Sequence, residues 1–395
     1  MMVALLPVAD AQDQLLALAS PVASESVDLR TAAGRWASAD IVAQRSQPVT
    51  DLSAMDGYAI RFQDLPGPLT LIGESAAGRP FAGTLSESET VRIFTGAALP
   101  LGADTVMVQE EAALQDGRVV QAGAGPSATG RNVRPRGLDF SAGQALIARG
   151  DRLTPARIAL AAMGGQGMIT VNRRIRVAIV TTGDELVPPG APLTDAHLPE
   201  SNGVMLAALL ADLPVDVDLT PILPDRLDVI SAALAHIQAD IIVTIGGASV
   251  GDHDLIRPAI DAAGGSINFW RIALRPGKPM LTGMIGETVI LGLPGNPVSA
   301  FVTAQLFLRP LIAAFGGAHT PVPEPITAML GEALPANDQR QDYLRGSWHE
   351  GKVVAAAKQD SSLLLTLSKA ACLIIRPPFA PAAVAGDSVS ILPLA

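Results

Sequence analysis

Three short apolar stretches decide the fold of this chain: RVAIVTTG (residues 176–183), DIIVTIGG (240–247) and TVILGLPG (288–295). Each is a run of aliphatic, largely β-branched residues that ends in a glycine-containing turn, as is typical of a strand buried on both faces. Helical patterns separate the three stretches. Strands that alternate with helices predict a doubly wound α/β domain, to which we assign residues 173–318.

Two of the intervening helices are predicted at residues 202–212 and 225–239, with Ser201, Asn202 and Asp225 as N-terminal caps. In open α/β sheets, ligands bind beyond the carboxyl ends of the strands. The three glycine-containing turns fall at those ends, so we expect them to converge on one pocket.

Residues 47–143 and 319–395 carry a different pattern. Both are broken by Gly and Pro every few residues and contain short strand-like pieces rather than long helical periods. The first predicts an inserted β-rich domain. The second predicts a small C-terminal β-barrel.

Helical patterns at residues 10–19 and 155–163 lie on either side of the β-rich insertion, the second with Thr154 as its cap. We therefore predict one elongated helical domain, formed discontinuously by residues 1–46 and 144–172. The complete prediction is a multidomain α/β plus β protein.

Composition excludes several classes of function. The chain has 395 residues, 49% of them hydrophobic, and a net charge of −10. Nucleic-acid binding needs clustered cations, so we expect no nucleic-acid partner, and any anionic ligand must bind at a local basic pocket. The lone Cys372 excludes an intrachain disulfide and a multi-thiolate metal site.

The N-terminal apolar runs contain Asp10 and Asp13 and no basic segment, so they do not predict a signal peptide. No stretch reaches the roughly 18 uncharged apolar residues of a membrane span. We expect a cytoplasmic protein with no membrane association.

Two acidic loops follow predicted strands. TTGDEL (residues 181–186) places Asp184 and Glu185 at a strand end, where hard oxygen ligands could hold Mg²⁺, although a solvated turn would look the same. GGASVGDHD (246–254) combines backbone amides that can cradle an anion with carboxylates that can bind a bridging cation. We interpret His253 as a surface or second-layer histidine, because no partner His stands at ligand spacing.

Two further loops offer sites for an anion. RPGKP (residues 275–279) holds Arg275 and Lys278 in a proline-stiffened turn. LPGNPVSA (293–300) opens a helix at residues 297–315, whose free backbone amides would face the same pocket. The chain has no nucleophile elbow, Walker A loop or GxGxxG, which leaves chemistry on a phosphoanion with a divalent metal.

These motifs, read together, resemble the molybdopterin molybdenumtransferase family, which includes the carboxyl-terminal domain of gephyrin. The resemblance covers nearly the whole chain and is carried in order by SAMDGYA (53–59), FTGAALPLGADTV (94–106), RGLDFSAGQ (136–144), TTGDEL, GGASVGDHD, RPGKP and LPGNPVSA.

The resemblance implies an elongated homodimer of four-domain subunits, in which the α/β domain binds adenylylated molybdopterin. It implies Mg²⁺-dependent cleavage with insertion of molybdate into the dithiolene, which gives the molybdenum cofactor and AMP. A molybdopterin adenylyltransferase would act upstream, and molybdoenzymes or their chaperones downstream.

The family motifs assign candidate roles residue by residue. The candidate catalytic residues are Asp56, Thr95, Asp139, Glu185, Asp225 and Asp254, of which Glu185 and Asp254 are the candidate Mg²⁺ ligands. The candidate substrate-binding residues are Gly246, Gly247, Ser249, Arg275, Lys278, Pro294, Pro297, Arg345 and Ser361.

The chain departs from the family pattern after Gln359. Asp360 and Ser362 stand where the family commonly has glycines, Thr366 replaces a serine and Ala371 replaces an asparagine. Ser361 itself is retained.

Two alternatives compete with the transferase interpretation. A molybdopterin adenylyltransferase has similar TGDE-like and GGxS-like loops, but its single α/β domain needs neither the SAMDGYA module nor the terminal β domain. A scaffold protein could keep the fold and lose the chemistry. Asp56, Glu185 and Asp254 are intact and argue for catalysis, whereas binding of molybdopterin without turnover would favour the scaffold.

Overall fold

The computed structural model describes residues 5–246, 255–277 and 279–394. The helices in chain order are α1 Val8–Leu16, α2 Pro155–Met163, α3 Asn202–Leu209, α4 Leu227–His236, α5 Ile256–Ala262, α6 Pro297–Phe315 and α7 Leu364–Ser368. Helix α6 contains a π-helical turn at Ala304–Leu308.

The strands fall into three groups along the chain. The first group is β1 Ser24–Asp28, β2 Ile41–Val42, β3 Leu52–Ser53, β4 Gly57–Ile60, β5 Thr70–Ser75, β6 Glu89–Ile93, β7 Thr105–Val108, β8 Ala112–Gln115, β9 Arg118–Gln121, β10 Val133–Arg134, β11 Ala145–Ile147 and β12 Met168–Asn172. The second is β13 Ile175–Thr181, β14 Leu186–Val187, β15 Leu198–Pro199, β16 Val215–Leu219, β17 Ile241–Ile245, β18 Ser266–Arg271, β19 Leu274–Arg275, β20 Pro279–Ile285 and β21 Thr288–Leu293. The third is β22 Ile326–Met329, β23 Gln341–His349, β24 Lys352–Ala355, β25 Cys372–Arg376 and β26 Ser388–Pro393.

The central sheet has the order β16–β13–β17–β21–β20–β18. Its first four strands are parallel, whereas β20 and β18 run as antiparallel neighbours at one edge. The three strands predicted from the apolar stretches are β13, β17 and β21, and they lie side by side. Their continuous aliphatic runs are explained by burial on both faces.

Helices cover both faces of this sheet, as predicted. One core contains residues of α3 and α6, for example Leu206 and Phe307, packed against Val177 and Val243. The other contains residues of α4 and α5, such as Ile230, on the opposite face. The strand order changes direction between β13 and β17, which places the expected ligand crevice at their carboxyl ends.

Helix α6 is long and apolar enough to cross a membrane by length and composition alone, the one such helix in the described part of the chain. However, 78% of its apolar window is buried inside the protein. Its buried side chains, including Val302 and Leu311, belong to the core of the α/β domain. It is placed here as a core helix.

The helical domain predicted for residues 1–46 and 144–172 stays a prediction, and the described parts of these segments pack in two different places. In residues 5–46, α1 does not join α2 but packs on the α/β domain, where Val8, Ala11 and Leu15 enter the same core as α6. The remainder is built on the antiparallel pairs β1–β12 and β2–β11, with α2 beside them. The amphipathic pattern of α1 specified a buried face but could not specify the partner.

Short strands occupy the region predicted as the β-rich insertion. Its main sheet has the order β5–β6–β4–β7, and β8 and β9 form a hairpin beside it. Two small apolar cores, around Ile93 and around Leu69, hold these strands together.

The C-terminal region forms one sheet of order β19–β23–β25–β26–β22, with β24 paired to β23. A backbone bridge between Leu330 and Val353 connects the end of β22 with β24. The predicted barrel remains a prediction. Strand β19 belongs to the α/β segment and pairs in parallel with β23, so this sheet includes a piece of another part of the chain.

The predicted helix caps fare unequally. Thr154 caps α2 as expected, because its side chain accepts a hydrogen bond from Arg157 N–H at 3.3 Å. Ser201 occupies the N-cap of α3 but its side chain makes no capping bond, and the N-cap of α4 is Arg226 rather than Asp225. The capping bond in the first turn of α3 comes from Glu200.

Candidate active site

The carboxyl ends of β13, β17 and β21 are level, because Thr181 pairs with Ile245, which pairs with Leu293. Gly246 follows at φ +87° and donates a hydrogen bond to the carbonyl of Leu293 at 3.1 Å. Its left-handed conformation favours glycine. A Cβ on Gly295 would lie 3.7 Å from the Cα of Gly246, so the two loops are adjacent. The turns after β17 and β21 are therefore adjacent, whereas their convergence with the turn after β13 on one pocket stays a prediction.

The acidic loop after β13 meets the loop after β16. Leu223 N–H donates to the Thr181 carbonyl at 2.9 Å, and Asp225 N–H donates to Oδ1 of Asp184 at 3.1 Å. Glu185 and Asp225, both exposed, therefore share one rim of the site. Neither carboxylate has an ion-pair partner in the described residues, which leaves both available to a cation.

The first turn of α3 buttresses this rim. Asn202 Nδ2 donates to the Gly295 carbonyl at 2.7 Å, and Glu200 Oε1 accepts from Gly203 N–H at 2.6 Å. Sequence reasoning missed Glu200 and took Asn202 only as a cap. The signal that could have identified Glu200 was a carboxylate placed two residues before a predicted helix, with no Lys or Arg nearby in the sequence to pair with it.

The loop that opens α6 is joined to the C-terminal region. Asn296 Nδ2 donates to Ser361 Oγ at 3.1 Å, and Val298 N–H donates to the Ser361 carbonyl at 3.1 Å. Pro294 is buried, and Pro297 stands in the first turn of α6. Ser361 therefore lies at the helix N-terminus, where backbone N–H groups favour an anion.

Arg345 is only 1% exposed, and its Nε has no hydrogen-bond partner. Its Nη2 donates to the Asp360 carbonyl at 3.1 Å, next to Ser361. Burial lowers the pKa of the guanidinium, and the charge of Asp360 partly opposes that effect, so Arg345 stays cationic. The side chain lines a cavity of about 280 Å³ together with Thr366 and Lys369.

Arg275 makes ion pairs that the sequence did not predict. Its guanidinium donates to Asp342 Oδ1 at 2.7 Å through Nε and contacts the second oxygen of Asp342 through Nη2. It also donates to Asp338 Oδ2 and Asn337 Oδ1, both at 3.1 Å. Hydrogen bonding to Asp342 raises the pKa of Arg275. This cation joins β19 to the C-terminal sheet, and its role in ligand binding stays a prediction.

Asp56 and Thr95 form a pair in the β-rich domain, as their shared assignment suggested. Oδ1 of Asp56 accepts from the backbone N–H and from the hydroxyl of Thr95, both at 2.8 Å. The backbone bond, then the hydroxyl bond and the charge of Arg92, hold the pKa of Asp56 below its ordinary value. Asp56 is thus a partly exposed carboxylate that is ionised at neutral pH.

Arg92 was not predicted. It stacks on Tyr58 and Phe94 at 5.0 and 5.1 Å from the ring centroids and donates to the Gly57 carbonyl at 3.2 Å. Strand periodicity in VRIFTG, which puts Arg92 and Phe94 on one face, was the signal that could have found it.

Asp139 lies apart from this pair. Its backbone N–H donates to the Gln47 carbonyl at 2.9 Å, and its side chain is exposed. Within residues 5–246, 255–277 and 279–394, no hydrogen bond joins Asp139 to Asp56, or joins the Asp56–Thr95 pair to the α/β rim.

Four predicted site residues, Gly247, Ser249, Asp254 and Lys278, lie outside the described residues, as does His253. Among the described residues, no group of three or more His, Cys, Asp or Glu side chains is placed to hold a metal ion. The described donors on the rim are hard carboxylate oxygens, which suit Mg²⁺, and a complete site would need Asp254 in addition.

Fold and site together define a class: a multidomain protein built around a doubly wound α/β domain with polar loops at the carboxyl ends of its strands. Residues 178–314 match the family profile described as "Probable molybdopterin binding domain". Residues 6–165 match "MoeA N-terminal region (domain I and II)", and residues 327–394 match "MoeA C-terminal region (domain IV)".

Relatives match over almost the whole length. A molybdopterin molybdenumtransferase of Haemophilus influenzae is 34% identical and covers 94% of each chain, and molybdopterin molybdenumtransferase 2 of Mycobacterium tuberculosis is 34% identical over 93% of this chain and 94% of its own. The crystal structure of the molybdopterin biosynthesis moeA protein from Pyrococcus horikoshii OT3 superposes with a TM-score of 0.84 at 26% identity, covering 99% and 100% of the two chains. The chain belongs to the molybdopterin molybdenumtransferase family, a family of enzymes.

Proposed function

We propose that this protein completes the molybdenum cofactor by Mg²⁺-dependent cleavage of adenylylated molybdopterin with insertion of molybdate into the dithiolene, releasing AMP. One observation carries the proposal most directly. Unpaired carboxylates lie in the loops after β13 and β16, and the N-terminus of α6, in the loop after β21, is hydrogen-bonded to Ser361, next to the Asp360 carbonyl that the buried Arg345 contacts.

The anionic groups of the substrate would bind at the α6 end of the crevice. The Ser361 hydroxyl and the Arg345 guanidinium are the donors there, and Lys278 of the RPGKP motif would add a cation. Arg345 is buried, so its charge would act with less screening by solvent.

Mg²⁺ would be held by Glu185 with Asp254, and Asp225, whose loop is hydrogen-bonded to the loop of Glu185, is a further candidate ligand. The ion supplies neutralisation of the charge that develops on the phosphoanhydride oxygens. The separation of the acids from Arg345 and the N-terminus of α6 would orient the substrate. Its anionic groups would be repelled by the acids and attracted to Arg345.

Asp56 would act as an acceptor rather than an acid. Thr95 holds it ionised, so at neutral pH it can accept a proton or orient a water but cannot donate a proton. Asp139 would be a second carboxylate of the same domain. No hydrogen bond of the described chain joins this domain to the α/β rim, which favours a homodimer whose crevice takes Asp56 from the other subunit.

The remaining expectations follow from this assignment. The protein would act in the cytoplasm, receive its substrate from a molybdopterin adenylyltransferase and pass the finished cofactor to molybdoenzymes or their chaperones. It would bind neither nucleic acid nor a membrane.

The decisive experiment is AMP release from adenylylated molybdopterin by the purified protein. Release should require both Mg²⁺ and molybdate and should be lost in Glu185→Gln but kept in Glu287→Gln, an exposed acid at the far end of the sheet. Adenylylation of molybdopterin from ATP without AMP release would instead indicate the adenylyltransferase. Binding of molybdopterin without turnover would indicate the scaffold.

A further inference from the structure

Asp56 and Thr95 belong to different strands of the β-rich sheet. Asp56 immediately precedes β4, and Thr95 follows the end of β6 by two residues. Gly57 pairs with the last residue of β6 and with the last residue of β7, so these three strand ends lie level. The 2.8 Å bonds from Thr95 to Asp56 therefore join β4 to β6, and a small shift of one strand against the other would lengthen them.

The guanidinium of Arg92 connects the same three strands. Its Nη1 donates to the Gly57 carbonyl of β4 at 3.2 Å, and its Nη2 donates to Oε1 of Gln109, the residue after β7, at 2.5 Å. Gln109 in turn donates its backbone N–H to the Asp56 carbonyl at 3.1 Å. A planar group with donors on two arms can hold two partners in a fixed relation. We call Arg92, Gly57 and Gln109 the arginine clamp.

Two aromatic rings support the guanidinium of the arginine clamp. It lies 5.0 Å from the ring centroid of Tyr58 and 5.1 Å from that of Phe94. Tyr58 pairs with Arg92 across β4 and β6, and Phe94 immediately precedes Thr95. The rings therefore fix the guanidinium against the same two strands that carry the Asp56–Thr95 pair.

The charge of Arg92 is not used in an ion pair. Glu74 lies opposite Arg92 on β5, and Glu110 accepts from Gln109 Nε2 at 3.2 Å. Both hydrogen bonds that the guanidinium donates within the described chain nevertheless go to uncharged oxygens. Backbone and hydroxyl hydrogen bonds hold the pKa of Asp56 below its ordinary value, and the charge of Arg92 adds to that effect.

We propose that Arg92 is a positioning residue of the transfer reaction, which holds the three strand ends so that Asp56 keeps the geometry set by Thr95. The inference rests on the proposed function, in which Asp56 accepts a proton or orients a water. Arg92 acts through Asp56 and needs no contact with the substrate. Loss of the arginine clamp should therefore lower kcat and leave KM unchanged, because the proposed substrate-binding residues lie elsewhere in the chain.

The test compares three variants of the full chain, with Arg118→Met, an exposed arginine of the same domain, as the control. Arg92→Met keeps an apolar stem but loses the charge and both bonds. It should lower kcat for AMP release about tenfold at unchanged KM, and a carboxyl NMR titration should show the pKa of Asp56 raised towards its ordinary value. Arg92→Lys restores the charge without the two-armed contact and should recover part of both losses. Gln109→Met removes one arm and should have a smaller effect in the same direction.

Three results would overturn the inference. Wild-type titration of Asp56 in Arg92→Met would remove Arg92 from the positioning of the pair. A raised KM at unchanged kcat would make Arg92 a substrate contact, and a lowered Tm with unaltered kcat and titration would reduce the arginine clamp to a structural support. The NMR titration does not depend on turnover, so it tests the clamp even if the wild type releases no AMP, a result that would overturn the proposed function alone.

Discussion

The Asp56–Thr95 pair shows how two hydrogen bonds set the protonation state of a partly exposed carboxyl group. In Thr95→Val the hydroxyl bond is lost and the backbone bond remains, so the pKa of Asp56 should rise part of the way to its ordinary value. As the pH is lowered, Thr95→Val should therefore lose activity at a higher pH than the wild type does. The measurement is the pH dependence of AMP release, together with a carboxyl NMR titration of Asp56.

The stability of the same variant follows a definite sign. A carboxyl group with a lowered folded-state pKa contributes stability above its unfolded pKa, and this is lost as the pH falls through the folded-state value. The Tm difference between wild type and Thr95→Val should therefore be largest at neutral pH and shrink in acid. Thr95→Ser, which keeps the hydroxyl, should resemble the wild type. Identical titration of Asp56 in all three proteins would contradict this account.

Glu185 permits a second test at this scale, because it is exposed and makes no ion pair in the described chain. Glu185→Ala should abolish Mg²⁺-dependent AMP release and change the free energy of unfolding by no more than about 0.5 kcal/mol. Assays of AMP release and chemical denaturation would show both effects. Loss of folding together with activity would mean that the loop acids support the turn itself.

Residues differ in how far the sequence could predict them. Motif order singled out Asp56, Thr95, Arg345 and Ser361, since each belongs to a recognisable segment, and their roles stay predictions. It did not foresee the ion pair of Arg275 with Asp342, which is 67 residues away, because a guanidinium in a loop is the same in sequence whether it faces a ligand or a distant carboxylate. Long-range pairing of this kind leaves no local pattern.

At the scale of elements, Arg275 connects β19 to β23. Arg275→Met would leave the buried Asp342 without its cation and should destabilise the protein by about 2 kcal/mol, less than for a fully buried pair because the Arg275 side chain is 41% exposed. AMP affinity should be unchanged. Denaturation and calorimetry would measure the two quantities, with Arg275→Lys as the intermediate control. Weaker AMP binding at unaltered stability would restore the ligand-binding role.

Elements with strong periodicity were predicted well, and their partners were not. The strands β13, β17 and β21 and the helix α2 stand where their patterns put them. Helix α1 was recognised as amphipathic, but its sequence did not specify which hydrophobic surface its apolar face would contact. In the structure this face packs on the α/β core. The predicted capping bond of Ser201 is absent for a similar reason, since Glu200 accepts the backbone hydrogen bond in the first turn of α3 instead.

For the whole molecule, the prediction is a crevice shared between two subunits. Mixing Asp56→Ala with Glu185→Ala subunits, each inactive alone, should restore activity, because a heterodimer has one site with both lesions and one with neither. Random exchange gives about half heterodimer with one working site in two, so recovery should approach roughly a quarter of wild type. Tandem-tag purification followed by the AMP assay would measure it. A verified heterodimer without activity would place all these residues in the site of one chain.

The short strand β19 has a consequence for how the chain is made. Leu6 bridges to Ile272, and Leu274 and Arg275 pair with Gln341 and Asp342. Residues 272–275 therefore pair with both an N-terminal and a C-terminal part of the chain. During synthesis, residues 272–275 leave the ribosome some 65 residues ahead of β23. Strand β23 can therefore pair with β19 as soon as it is synthesised. The C-terminal segment synthesised alone would lack β19 as a pairing partner.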